Sequence, residues 1–159
     1  MSDKDQALAE LEAAQTGFRA QLAGLPEDAY QDVWLGEWNL NQLLAHMSGW
    51  FREMTGGFER VARGERPTPE GVDYSDADKW NAGFAAHARV GPDALADFDD
   101  AYGGYLAAAK ALPDDQYGVD PEKGRPRIGN RLLQASGIGH FEEHRPQLDE
   151  WLKARGSAG

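Results

Sequence analysis

Nine large apolar residues between Leu40 and Val61 constrain this chain more than any other feature. Leu40, Leu43, Leu44, Met47, Trp50, Phe51, Met54, Phe58 and Val61 recur at steps of three and four. That spacing winds them into one stripe of an α-helix and fits no strand, whose side chains alternate with period two. Asn39 stands in front as an N-cap, and Gly64 follows as a C-cap, so the spacing predicts a helix from Leu40 to Ala62. A helix with so broad an apolar face must bury it against other elements.

The rest of the chain supplies those partners. Leu8, Leu11, Phe18 and Leu22 mark a first helix over residues 4–23. Gly91-Pro92-Asp93 opens a third long helix with the stripe Leu95, Phe98, Tyr102, Tyr105, Leu106, Ala109 and Leu112. A fourth spans residues 130–154 with Leu132, Ser136, His140, His144, Leu148 and Trp151 facing inward, and Pro146 is set to kink it. Residues 76–88, with Trp80, Asn81, Phe84 and His87, read as a short helix inside the long connection between helices 2 and 3. No stretch carries a convincing strand pattern. The chain is therefore all-α: a single domain over residues 1–159, built as a four-helix bundle with a long crossover and a short extra helix, and frayed over its tail from residue 155.

The inward stripe of the fourth helix carries two imidazoles where apolar residues belong. His140 and His144 lie four apart, one above the other on the same helical face. Paired histidines of that spacing can grip one metal ion, as in H-E-x-x-H sites. Here Phe141 follows the first histidine, so the peptidase glutamate is missing. A reactive zinc-type site uses three protein ligands and keeps a fourth position open. His46 borders the stripe of the second helix, between Leu43 and Trp50, and is the candidate third ligand. Neutral imidazoles suit zinc, nickel, copper and iron alike. The plainer reading is three buried neutral histidines bonded to hydroxyls or carbonyls. Ser136, Gly137 and Gly139 read as small residues that leave space for a pocket beside the pair. Glu143 is the candidate general base or partner of a ligand; a solvent-facing helix glutamate is its alternative. Glu142 and His87 read as surface residues. Trp38, Trp50 and Trp80 are either pocket wall or plain core, and Asn81 either donates to a ligand or caps a turn. Arg125 and Arg127 either meet an anionic substrate or belong to a solvated loop.

Composition narrows the partners. The net charge of −11 argues against nucleic acid and against anionic membrane surfaces, both of which need basic patches. The chain has no cysteine, so no disulfide frame and no protein thiolate. Its polar first residues lack an apolar signal core, which makes the cytoplasm the expected compartment.

Two segments resemble a known family. Trp38-Asn39-Leu40-Asn41-Gln42-Leu43-Leu44-Ala45-His46-Met47-Ser48-Gly49-Trp50 is similar to the second-helix signature of the DinB-like superfamily. His140-Phe141-Glu142-Glu143-His144-Arg145-Pro146 is similar to its last-helix ending, and Asp78-Lys79-Trp80-Asn81-Ala82 to a stretch between them. The resemblance implies a four-helix bundle, often homodimeric, with a divalent metal, zinc or nickel among the options, held by His46, His140 and His144. Relatives include bacillithiol- and mycothiol-dependent enzymes, which implies a low-molecular-weight thiol as co-substrate and a small-molecule substrate. Two classes of function follow. One is a metal-dependent enzyme, a thiol S-transferase or hydrolase acting on a small electrophile. The other is a non-enzymatic bundle that binds or sequesters a small molecule, as in resistance.

Overall fold

The computed structural model describes the backbone of residues 1–158 and the side chains of residues 1–156. Its helices are α1 (Asp3–Leu22), α2 (Leu40–Ala62), α3 (Ala77–Ala86), α4 (Pro92–Ala111), α5 (Ile128–Leu133) and α6 (Gly139–Ala158). The α2 ends follow from its caps. Asn39 and Gln42 exchange side-chain and backbone hydrogen bonds of 3.0 and 2.9 Å, a closed capping box. At the other end Gly64 takes φ +81°, a backbone conformation open to glycine, and the next amide bonds back to Arg60.

Helices α2 and α4 form the most intimate pair, α1 lies against α5 and α6, and α3 docks on α2. The space between them is filled by rings. Phe18, Phe51, Phe98 and Phe141 are fully buried, with Phe18 5.4 Å from Phe98 and 5.3 Å from Phe141. The approach of α3 depends on Gly49: a Cβ there would overlap the Phe84 ring. The segment after α4 contains a two-residue antiparallel hairpin, Val119–Asp120 with Arg125–Pro126, too short for a strand pattern to register in the sequence.

The fourth long helix differs from its prediction. In place of one α-helix over 130–154, α5 and α6 are joined by a π-turn, Gln134–Ile138. The Gly139 amide reaches back five residues to the Gln134 carbonyl. A Cβ on Gly139 would stand 2.5 Å from that carbonyl, and one on Gly137 would stand 2.7 Å from Leu11 and 2.9 Å from the Tyr105 hydroxyl. These glycines therefore do not open a pocket; they admit the π-turn and the close approach of α1 and α4. Tyr105 donates its hydroxyl to the Leu132 carbonyl at 2.6 Å, within the stretch where the α-helical ladder changes register. Helix α6 continues through Pro146, whose missing N–H leaves the Glu142 carbonyl without its usual donor on the exposed face. It also continues as helix over residues 155–158, where fraying is predicted; Gly159 lies outside the described residues.

Candidate metal centre

Helix α2 presents His46 and helix α6 presents His140 and His144 to one another across the bundle. Each offers a ring nitrogen within 4.8 Å of the others'. Ring centroids lie 4.9 Å apart for His46–His140, 5.4 Å for His46–His144 and 5.6 Å for His140–His144. The α-helical spacing of the pair is intact because the π-turn ends at Ile138, two residues before His140. His46 and His144 are buried and His140 nearly so.

The neighbours fix which nitrogens face inward. Asn81 on α3 accepts at Oδ1 from Trp50 Nε1 at 2.6 Å and meets His46 Nδ1 at 2.9 Å. An indole N–H only donates, so the Asn81 atom is the oxygen, and His46 Nδ1 must carry its proton. That leaves His46 Nε2 with a lone pair. His144 Nδ1 bonds Gln147 Oε1 at 2.8 Å, one turn further along α6. His144 Nε2 and His140 Nδ1 are buried without a hydrogen-bond partner among the described residues.

Burial keeps two of the three imidazoles neutral. Burial lowers the His46 imidazole from its ordinary value to about 4, helped by the charge that His144 would add and opposed by its bond to Asn81. Burial lowers His140 to about 3, with His46 and His144 acting in the same direction. Near neutral pH both rings keep lone pairs free for a Lewis acid. Three imidazoles, two with their outer nitrogen anchored to an amide and with orphaned buried nitrogens among them, fit a divalent cation. Buried polar atoms left without partners otherwise cost about 1–3 kcal/mol each.

The cluster forms the floor of a cleft of about 540 Å³. Leu35, Trp38, Trp50, Met54 and Tyr74 wall it, with Asn81, Ser136, Glu143 and Gln147 as its other polar groups. Glu143 stands at the rim, 62% exposed, with a carboxylate oxygen 4.0 Å from His144 Nε2. Trp38 and Trp50 face the cleft, whereas Trp80 packs behind, 5.9 Å from Trp50 and 5.0 Å from Tyr74. Asn81 neither caps α3 nor waits for a ligand with its oxygen; it orients a histidine. The sequence points to Asn81 as a ligand donor or a cap rather than as a partner of His46, and it leaves Gln147 unmarked although Gln147 stands three residues after His144, a spacing that predicts contact on a helix. Glu142 and His87 are exposed surface residues, and Arg125 and Arg127 lie outside the cleft. No helix among the described residues is long and apolar enough to cross a membrane.

Comparison with known proteins agrees with this architecture. The Streptococcus pneumoniae protein solved by structural genomics superposes with a TM-score of 0.77 at 13% identity, covering 96% of this chain and 92% of that one. The sibling lethal factor precursor DfsB gives 0.75 at 16%, with 96% of each chain covered. The mycothiol-dependent maleylpyruvate isomerase gives 0.68 at 16%, covering 93% of this chain and 63% of that one. At these identities the likeness is one of fold. No curated protein sequence matches. Residues 11–130 match the sequence family of the mycothiol maleylpyruvate isomerase N-terminal domain, and the chain belongs to that family, within the DinB-like superfamily.

Proposed function

We propose that this protein is a divalent-metal-dependent enzyme, a thiol S-transferase or hydrolase acting on a small electrophilic molecule. The observation that carries the reading is the convergence of His46, His140 and His144, with orphaned buried nitrogens, on the floor of a cleft large enough for a small substrate. The three histidines would hold zinc or nickel, and a bound ion of that kind supplies Lewis acidity that makes water or a thiol more acidic. The family's link to mycothiol supports a low-molecular-weight thiol as co-substrate. The isomerase's own substrate is not carried over, since this chain spans 63% of that protein.

The chain's residues divide the remaining work. Asn81 holds His46 in the tautomer with Nε2 unprotonated, and Gln147 orients His144. Glu143, at the rim and 4.0 Å from His144, takes the proton that the water or thiol gives up on attack. Trp38, Trp50 and Tyr74 exclude water from one side of the cleft. A second copy of the chain as partner rests on the family resemblance.

Elemental analysis of tag-free protein tests the reading, with His46→Ala and His140→Ala alongside. The expected result is near-stoichiometric zinc or nickel, lost in both variants. Protein that takes up neither metal after incubation contradicts it and favours the binding or sequestering bundle.

A further inference from the structure

The charge of the cleft says what kind of molecule it accepts. Among the described residues, Glu143 is the one charged side chain in its lining apart from the histidines, and no lysine or arginine lines it. Arg60 and Arg127 are committed to other partners. Arg60 donates to the Pro67 carbonyl at 2.8 Å, and Arg127 to the Tyr117 carbonyl at 3.0 Å. Arg131 faces a separate cavity between α1 and the hairpin. A carboxylate entering the cleft would shed water and meet no fixed positive side chain.

The wall has the opposite preference. Trp50 and Tyr74 meet edge to face with centroids 5.6 Å apart, and Trp38 lies 5.2 Å from the His46 ring. Aromatic faces of this kind attract flat apolar groups and cations. The amides add a polar code. Asn81 Oδ1 is taken by Trp50 and His46, and Gln147 Oε1 by His144. What both amides have left for a ligand is their NH₂ group, a match for a carbonyl or hydroxyl oxygen that offsets no full negative charge.

We infer that the side chains of the cleft favour a neutral or cationic organic molecule with a flat apolar face and an uncharged acceptor oxygen, and that they offer a carboxylate no counter-charge beyond an ion held by the histidines. Trp38, Trp50 and Tyr74 form the docking wall and Glu143 is the counter-charge. The inference deepens the proposed function and rests on the reading of this cleft as the substrate site.

Calorimetric titration of the full chain, stripped of metal, tests it with three probes sharing one ring: benzyltrimethylammonium, benzyl alcohol and phenylacetate. Stripping removes direct carboxylate–metal bonding from the comparison. The ammonium should bind about three- to tenfold tighter than the alcohol, with phenylacetate weakest. Glu143→Gln, a change at an exposed position, should narrow the ammonium–alcohol gap to about twofold or less. Trp38→Ala should weaken all three, with an unchanged far-UV circular dichroism spectrum showing that the fold persists. Phenylacetate binding as tightly as the alcohol overturns the inference. So does a gap that Glu143→Gln leaves unchanged, or no binding of any probe at millimolar concentration. If the protein takes up neither zinc nor nickel on incubation yet ranks the probes in this order, the proposed metalloenzyme fails and the charge preference stands.

Discussion

His140 and Phe141 are neighbours in sequence and opposites in physical chemistry. Phe141 is fully buried among Phe18, Phe51 and Tyr102, at centroid distances of 5.3, 6.1 and 6.3 Å. Its side chain is a hydrocarbon ring packed on other rings, with no polar atom of its own to satisfy. His140 and His144 each bury a ring nitrogen that finds no partner among the described residues. The aromatic region therefore contributes stability, and the histidine region spends some of it. The difference teaches where to look for a ligand: on the face of α6 where burial and hydrogen bonding disagree.

Three perturbations sharpen that contrast, from the largest effect to the smallest. Phe141→Ala should destabilise the fold by about 3–5 kcal/mol, read from urea unfolding. His140→Leu, at the adjacent residue, should leave the metal-free protein as stable as the parent or more so, because it removes an orphaned polar atom. Equal losses in both variants would erase the distinction between the regions.

The second perturbation is pH. The folded-state values of His46 and His140, about 4 and about 3, lie below the ordinary 6.5. Unfolded chains therefore bind protons that the folded protein refuses. The stability of the metal-free protein should be full above about pH 6.5 and fall as pH drops from there towards 3, by at most about 3 kcal/mol for His46 and about 5 kcal/mol for His140. Melting curves of parent and His140→Leu across that range check the sign. A parent protein that gains stability on acidification would contradict burial as the dominant cause.

The third is orientation without ligation. Asn81→Ala removes the acceptor shared by His46 and Trp50 and should weaken zinc binding by about 10–100-fold while the helical content stays the same. Unchanged zinc affinity would mean that His46 does not depend on Asn81 for its tautomer.

How much of this was legible in the sequence depended on the range of the forces involved. Helix α2 follows its predicted bounds because the Asn39–Gln42 box and Gly64 act within a few residues. His140 and His144 are legible because a helix brings positions four apart together whatever lies around it. The π-turn is not, since it is set by Tyr105 on α4 and Leu11 on α1, distant in sequence from Gly137. The same separation hides the role of Asn81, whose partners His46 and Trp50 stand 35 and 31 residues away. Gly137 and Gly139 show the limit most plainly. Read as empty space, they turn out to be filled by neighbours' side chains and by the turn itself.

X-ray absorption at the metal edge of the zinc- or nickel-loaded protein tests the central claim most directly, because it counts the ligands themselves. The account predicts a spectrum fitted by three imidazoles, falling to two in His46→Ala. A shell of oxygen ligands, or an imidazole count that ignores the loss of His46, would contradict it.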